Sequence, residues 1–337
     1  MNARETPPPR PIAVRPVPTP VAAGASDAPV VVALGGGHGL AASLAALRHL
    51  TDHLTAVVTV ADDGGSSGRL RRELGVLPPG DLRMALAALC DDTQWGRTWR
   101  DVLQHRFASQ GELHHHSVGN LLIVALWELL GDTVEGLDLV GQLLGARGRV
   151  LPMSAVPLDI EAVVLGLDPT DPSAASSVRG QVAVATTTGS VASVRLVPDD
   201  PPACPEAVQA VLDADWVVLG PGSWFTSVMP HLLVPDLRRA LCETTARRMI
   251  TLNLTDQAGE TDGFSAENHL EALFLHAPEL MVEVVLADPA VVTDRRSLEQ
   301  VCESVGARLV VSSVASSTQP EVHDELRLAA AYRDVLG

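Results

Sequence analysis

The segment VVVALGGGHGLAA, residues 30–42, decides the fold of this chain. Its first five residues are all apolar, which is typical of a strand buried on both faces of a parallel sheet. A glycine-rich turn follows at once, and apolar residues then recur at helical spacing to about Leu50. The segment therefore predicts a strand, a tight turn and a helix, the first unit of a doubly wound α/β sheet.

The same alternation continues along the chain. Further strands are predicted at 55–60, 216–219, 249–254, 281–286 and 308–314, and a closing helix at 322–336. Because the strands are of the buried type and alternate with helices, we expect one α/β domain over 30–337 with a mostly parallel sheet and helices on both faces.

Two stretches depart from this alternation. Residues 69–147 predict a helical segment, and residues 149–197, rich in Val, Thr, Ser and Pro, predict a β-rich insertion. Asp81 and Ser117 are typical N-cap residues. The predicted helices of the segment are 81–90, 99–108, 117–130 and 134–146. Before the domain, residues 1–29 are Pro-rich and predict a disordered tail.

Composition excludes several kinds of chemistry. The chain has 337 residues and a formal net charge of −17, and its 24 basic residues are all arginine. Without lysine there is no Schiff-base enzyme, no pyridoxal phosphate aldimine and no P-loop NTPase. The acidic balance and the aromatic content of 3% argue against a nucleic-acid partner.

The cysteines and the apolar runs bear on location. The four cysteines lie far apart and form no C-x-x-C pair. That spacing is typical of a reduced, cytoplasmic protein. No apolar run reaches the length of a membrane span, so we expect none.

Two glycine loops are candidate phosphate sites. Gly37, Gly39 and Ala42 fit the G-x-G-x-x-A pattern between a strand and a helix, with an acid about 20 residues on. Residues 220–227, GPGSWFTS, repeat the order of strand, glycine turn, hydroxyls and helix start. In both loops backbone N–H groups and the helix N-terminus would face a phosphate. The alternative for each is a tight turn without a ligand.

Three polar stretches add further candidates. Asp62 and Asp63 end the second strand, where they would hold Mg²⁺ or a hydroxyl, and the GGSSG that follows would form an anion nest. In the triplet 114–116 we expect an exposed loop with one useful histidine rather than a metal site. The polar loop 253–264 is either a substrate-reading loop or a solvated connection.

Seven motifs in chain order resemble the YvcK-type gluconeogenesis factors, a family related to the 2-phospho-L-lactate transferase CofD. The resemblance extends from about Val30 to the C-terminus. The motifs are GGGHGL (35–40), VADDGGSSGRLR (60–71), PPGDLR (78–83), HSVGNL (116–121), GPGS (220–223), LLVP (232–235) and GETDG (259–263).

This resemblance implies a Rossmann-like fold, a cytoplasmic location and binding of a nucleotide sugar such as UDP-N-acetylglucosamine. It also implies a role in carbon metabolism, cell shape and wall synthesis, with protein partners in that regulation. His38 is a departure, because the family usually has a small hydroxyl residue there. The candidate ligand and phosphate residues are Gly36, Gly37, His38, Gly39, Asp62, Asp63, Ser66, Ser67, Arg69, Asp81, Arg83, His116, Ser117, Asn120, Gly220, Gly222, Ser223, Thr226 and Asn253.

Three functions remain open from the sequence. The first is a regulator that binds a nucleotide sugar and catalyses nothing. The second is a CofD-like transferase that moves a phospholactyl group to a deazaflavin acceptor, with Asp62 and Asp63 as candidate catalytic residues and Mg²⁺ as cofactor. The third is an NAD(P)-dependent oxidoreductase. The apolar helices over 81–146 would supply a homodimer surface.

Overall fold

The structure, a computed structural model, describes residues 28–257 and 259–337. The predicted disordered tail lies outside the described residues except for Ala28 and Pro29. The described strands are β1 (Val31–Gly35), β2 (Leu54–Val58), β3 (Arg149–Pro152), β4 (Asp159–Leu165), β5 (Ser176–Arg179), β6 (Ser190–Val197), β7 (Trp216–Leu219), β8 (Arg247–Thr251), β9 (Val284–Ala287) and β10 (Arg308–Val311).

Helices connect most of these strands. Besides a π-helical turn at Trp224–Val228 and a 3₁₀ turn at Pro289–Val291, the described helices are α1 (Gly37–Leu47), α2 (Gly65–Leu74), α3 (Gly80–Ala88), α4 (Gln94–Gln104), α5 (Val118–Leu130), α6 (Thr133–Leu144), α7 (Gln181–Ala185), α8 (Pro205–Leu212), α9 (Pro230–Leu233), α10 (Pro235–Glu243), α11 (Ala266–His276), α12 (Arg295–Ser304) and α13 (Glu325–Leu336).

Seven parallel strands form the central sheet in the order β10-β9-β8-β7-β1-β2-β3. β1 lies in the middle, with Val31 beside Leu54 on one side and Trp216 on the other. All five residues of β1 are buried, as an apolar strand covered by helices on both faces requires. The predicted doubly wound α/β fold is confirmed.

The β-rich region contributes to two sheets. β4, β5 and β6 form a separate antiparallel sheet in the order β5-β4-β6. β3, by contrast, pairs in parallel with β2 at the edge of the central sheet. Arg71 on α2 ties the small sheet to the domain, because its guanidinium donates to Asp159 at 2.5 Å and to the carbonyl of Leu158 at 2.8 Å.

Several predicted helix boundaries were wrong, and local capping explains two of them. α4 begins at Gln94 rather than at 99 because the hydroxyl of Thr93 accepts the N–H of Gly96 at 3.1 Å. α13 begins at Glu325 rather than at 322 because the carboxylate of Asp324 caps its first turn. A further difference is α2, which begins at Gly65, so the predicted GGSSG nest is mostly the first turn of a helix.

The two predicted N-caps have different outcomes. Pro79 occupies the N-cap position of α3, and Asp81 lies inside its first turn. Asp81 instead accepts a hydrogen bond from the backbone N–H of Gly37. Ser117 is the N-cap residue of α5, but its hydroxyl donates to the carbonyl of Leu103 at 2.9 Å rather than capping the helix. Within the described ranges, every helix is too short or too polar to cross a bilayer.

Candidate functional site

The strand order reverses between β1 and β7, and the two glycine loops meet at that point. β1 leads to β2 and β3 on one side, and β7 leads to β8, β9 and β10 on the other. A Cβ on Gly39 would overlap the carbonyl oxygen of Pro221 and lie 2.5 Å from the Cα of Gly222. Only glycine allows this approach. The loops after β1 and β7 therefore form one crevice at the carboxyl edge of the sheet, where open α/β folds bind ligands.

The loop after β1 presents free backbone donors to this crevice. Gly36 is the N-cap of α1 and has no side chain to satisfy the first turn, which also contains no acidic residue. Asp81 takes the N–H of Gly37. No described residue accepts a hydrogen bond from the N–H of His38 or Gly39. These two N–H groups at a helix N-terminus can bind an anion.

The loop after β7 is held by Asn253, which follows β8. The side chain of Asn253 accepts the N–H of Gly222 at 2.8 Å and donates to its carbonyl at 2.9 Å. The N–H of Gly220 is also used, since it donates to the carbonyl of Leu34 at 3.1 Å. The structure thus brings these predicted residues to the crevice but gives their polar groups partners within the protein.

A buried carboxylate occupies the helix start beyond that loop. Glu260 accepts the N–H of Phe225 at 3.1 Å and the hydroxyl of Thr226 at 2.6 Å. Ser223 also donates to Glu260, whose pKa is raised by burial. The hydroxyls of Ser223 and Thr226, which were predicted to bind a phosphate, therefore donate to the buried carboxylate of Glu260 instead. Glu260 was not among the predicted site residues, although the GETDG motif contains it.

Asp62 and Asp63 diverge although they are adjacent in sequence. Asp62 accepts the N–H of Gly64 at 2.8 Å and a hydrogen bond from Ser67. Asp63 accepts the N–H of Val182 at 3.0 Å and so faces the first turn of α7 in the insertion. The structure therefore does not bring the two carboxylates together toward one ligand.

Asp62 interacts electrostatically with two other acids: beyond the effect of burial, the charge of Asp63 raises the pKa of Asp62, and the charge of Asp62 raises the pKa of Asp81. Burial raises the pKa of Asp81 to about 7, and the charge of Asp62 acts in the same direction. Burial also raises the pKa of Asp62. A Cβ on Gly36 would lie 2.7 Å from the Asp81 carboxylate, so the acid sits directly beneath the loop after β1. An acid that exchanges its proton near neutral pH suits general acid–base chemistry or a charge switch.

The remaining predicted residues form a buried network around Ser66. Its hydroxyl accepts the side-chain amide of Asn120 at 3.1 Å and the N–H of Ser117 at 3.3 Å, and lies 3.0 Å from Nδ1 of His116. Since both acceptor positions are filled, the hydroxyl donates its proton to His116. Arg83 completes the network by donating from Nε to Asn120 at 2.9 Å.

This network positions the loop after β2 and leaves little for a ligand. Of the three adjacent histidines only His116 is buried, while His114 and His115 are exposed. Burial lowers the pKa of His116, which favours the neutral ring. The guanidinium of Arg69 donates hydrogen bonds to the carbonyls of Glu112 and His114, both at 2.9 Å, rather than facing a ligand.

A cavity of about 170 Å³ opens beside Asn253 and is lined in part by Asp256, Phe264 and His269. Nδ1 of His269 lies 2.8 Å from the carbonyl of Ser265, so Nδ1 carries the proton. Nε2 is buried and has no partner among the described residues. It is an acceptor without a donor, and burial lowers the pKa of the ring.

Comparison with known proteins identifies the relatives of this chain. The family profile described as "2-phospho-L-lactate transferase CofD" matches residues 31–322. A Mycobacterium tuberculosis protein named "Putative gluconeogenesis factor" is 55% identical over 308 residues, which cover 90% of each chain. The "Gluconeogenesis factor" of Halalkalibacterium halodurans is 38% identical over 264 residues, 78% of this chain and 79% of that protein.

A solved structure extends the likeness to the fold. The crystal structure of a UPF0052-family protein from Bacillus halodurans superposes with a TM-score of 0.80 at 33% sequence identity. The match covers 89% of this chain and 97% of that chain.

Proposed function

The chain belongs to the CofD family, and from that premise we propose that it binds a nucleotide sugar of the UDP-N-acetylglucosamine class in the crevice between the loops after β1 and β7. The Mycobacterium tuberculosis and Halalkalibacterium halodurans relatives are named as gluconeogenesis factors. We therefore propose a cytoplasmic regulator of carbon metabolism, cell shape and wall synthesis.

The observation that carries this proposal is the pair of unpartnered N–H groups of His38 and Gly39. They lie in the first turn of α1, where the helix dipole favours a negative charge. A diphosphate is an anion of the matching kind. The small cavity beside Asn253 would take an uncharged part of the ligand, because Nε2 of His269 offers an acceptor to a base N–H or a sugar hydroxyl.

A binding role without turnover fits the side chains around the crevice. The contact between Ser66 and His116 resembles that of a nucleophile and its general base. The serine hydroxyl is buried, however, and all its hydrogen-bonding positions are used. A substrate carbonyl or phosphorus would have no route to that oxygen. The pair therefore supports the loop rather than a covalent mechanism.

Calorimetry tests the proposal. UDP-N-acetylglucosamine, UDP, N-acetylglucosamine and NAD are titrated separately into the purified full-length protein. We expect heat from the nucleotide sugar, weaker binding of UDP and none of the free sugar. Absence of heat with both uridine ligands would contradict the proposal, and tighter binding of NAD would favour the oxidoreductase alternative.

A phospholactyl transferase is the second candidate, and the raised pKa values of Asp62 and Asp81 favour it. Two carboxylates and the phosphates of a donor are a usual ligand set for Mg²⁺, which seldom relies on protein ligands alone. Consistent with that, residues 28–257 and 259–337 contain no group of three or more His, Cys, Asp or Glu placed to hold a metal. Bound Mg²⁺ would polarise the transferred phosphoryl group.

A chromatographic assay with a deazaflavin acceptor, a phospholactyl-nucleotide donor and Mg²⁺ separates the two candidates. An acceptor that carries the phospholactyl group, with release of the nucleoside monophosphate, would establish the transferase. No product from a protein that does bind the nucleotide sugar would favour the regulator. We also propose that the apolar helices within 81–146 form a homodimer surface and that the regulator acts through protein partners. Sedimentation velocity measures the first of these.

A further inference from the structure

A second cleft, of about 450 Å³, lies between α1, α3 and α4, and we refer to it as the arginine cleft. Small or apolar side chains line its inner part, among them Ala41, Ala45 and Met84. Arg83, Arg100 and Arg106 line it as well. The volume is within the range of about 300–1,000 Å³ that is usual for small-molecule sites.

Three of the arginines that line the cleft have no carboxylate partner. Arg83 donates to the amide oxygens of Asn120 and Gln104, and Arg106 donates to the carbonyl of His115 at 3.0 Å. Among the described residues, no Asp or Glu lies within ion-pair distance of Arg83, Arg100 or Arg106. Three guanidinium groups without an ion-pair partner thus line one cleft, in a chain whose net charge is −17.

The fourth arginine that lines the cleft, Arg48, differs from these three because it has carboxylate partners. Arg48 is buried and pairs with Asp92 at 3.1 Å and with Glu325 at 3.5 Å. Glu325 is the acidic residue that lines the cleft, and it also contacts His49 at 2.7 Å. Both of its neighbours are cationic when His49 is protonated, so Glu325 is already engaged.

The unpaired cations also repel one another. Burial and the charge of Arg106 together lower the pKa of Arg83 to about 10, although the charges of Asp81 and Asp62 act in the opposite direction. An anion in the cleft would relieve this repulsion, and guanidinium groups bind phosphate through paired N–H donors. Two phosphate groups carry about three to four negative charges at neutral pH, which is close to the three guanidinium charges that line the cleft without an ion pair.

We propose that the arginine cleft binds a small metabolite with two phosphate groups, at a site that adjoins the crevice proposed for the nucleotide sugar. The proposal does not depend on the nucleotide-sugar function. The two sites are nevertheless connected, because Arg83 lines the cleft and holds Asn120, which holds Ser66 in the helix after β2. His38, which has one of the two free N–H groups of the crevice, also lines the cleft.

Titration calorimetry of the full-length protein with pyrophosphate, inorganic phosphate and citrate tests this site. The variants are Arg100→Gln, Arg106→Gln and the double variant, with Arg97→Gln as the matched control. Arg97 is exposed on α4, the helix that contains Arg100, and it does not line the cleft. Its replacement changes the net charge by the same amount as each single variant. Thermal unfolding of each variant verifies that it folds.

We expect pyrophosphate to bind the wild-type protein more tightly than phosphate or citrate. Each single variant should weaken that binding by about tenfold or more, and Arg97→Gln should leave it unchanged. UDP-N-acetylglucosamine binding should persist in the double variant. Equal pyrophosphate affinity in the wild type and the double variant, an equal loss in Arg97→Gln, no binding at all, or tighter binding of citrate would each overturn the proposal.

Discussion

The side chain of Asn253 is paired with the backbone of Gly222 through two hydrogen bonds, of 2.8 and 2.9 Å. This contact joins the loop after β8 to the loop after β7. Gly222 has a φ of +149°, a conformation that glycine adopts readily and other residues rarely do. We refer to its two hydrogen bonds with Asn253 as the clamp. The clamp fixes the wall of the crevice that faces α1.

Replacement of that clamp should loosen the crevice. In Asn253→Ala both backbone groups of Gly222 lose their partner, and we expect a loss of about 1–3 kcal/mol in the free energy of unfolding. Asn253→Asp keeps the acceptor for the N–H and loses the donor, so its loss should be smaller. Urea denaturation measures both. Equal stability of Asn253→Ala and the wild type would show that the clamp has no energetic role.

The close approach of Gly39 to Pro221 predicts a steric effect. Gly39→Val would force the two glycine loops apart, and overpacking of this kind costs about 1–3 kcal/mol. We also expect loss of nucleotide-sugar binding. Gly111→Val is the matched control, since a Cβ there meets no atom within 4 Å. A similar change in melting temperature for the two variants would contradict the predicted contact.

Because the pKa of Asp81 is raised, we expect the stability of the protein to depend on pH. The carboxyl has a pKa of about 7 in the folded chain against 3.8 in a model peptide. The folded state therefore holds a proton that the unfolded state releases, and stability falls as the pH rises from about 4 to about 7. Asp81→Asn mimics the protonated acid, so its stability should fall less over this range. Identical pH profiles for variant and wild type would refute the assignment.

The same titration should affect ligand binding. Above pH 7 the Asp81 carboxylate carries a charge next to Gly36 and Gly37, where Asp62 adds to the repulsion of an anion and Arg83 opposes it. Affinity for a diphosphate ligand should thus decrease as the pH rises through 7. In Asp81→Asn this decrease should be smaller, as measured by calorimetry at several pH values. An unchanged pH profile would mean that Asp81 does not face the ligand.

Asp63 is expected to act on the insertion rather than on the ligand. Its carboxylate accepts the N–H of Val182, so Asp63→Ala should release the first turn of α7. Hydrogen exchange over 180–186 should become faster, while nucleotide-sugar affinity stays the same. Ser177→Ala, elsewhere in the insertion, serves as a control. A loss of affinity without faster exchange would instead place Asp63 at the ligand.

The sequence predicted the sheet and the position of the crevice, because apolar runs and the glycines that follow them report directly on buried strands and tight turns. Residues 30–42 form β1 and most of α1 as the pattern requires. The direction of polar side chains was less accessible. Asp62 and Asp63 are neighbours in sequence, yet Asp63 accepts a hydrogen bond from the insertion, and only the three-dimensional fold shows that the charge of Asp62 acts on the buried Asp81.

Long-range partners account for the other surprises. Glu260 reaches the start of the π-helical turn from 35 residues away, and nothing in the spacing of either segment indicates the contact. The arginine cleft likewise assembles side chains from four helices and from the segment that follows α4. The lack of lysine points to arginine as the cation of this chain, but which arginines remain without a carboxylate is decided by tertiary packing.

A crystal structure of the full-length protein with UDP-N-acetylglucosamine tests most directly whether the crevice binds the nucleotide sugar. We expect the diphosphate within hydrogen-bonding distance of the backbone N–H groups of His38 and Gly39, between the loops after β1 and β7. Density for the nucleotide sugar at another site, or a crevice left empty at saturating ligand, would contradict it.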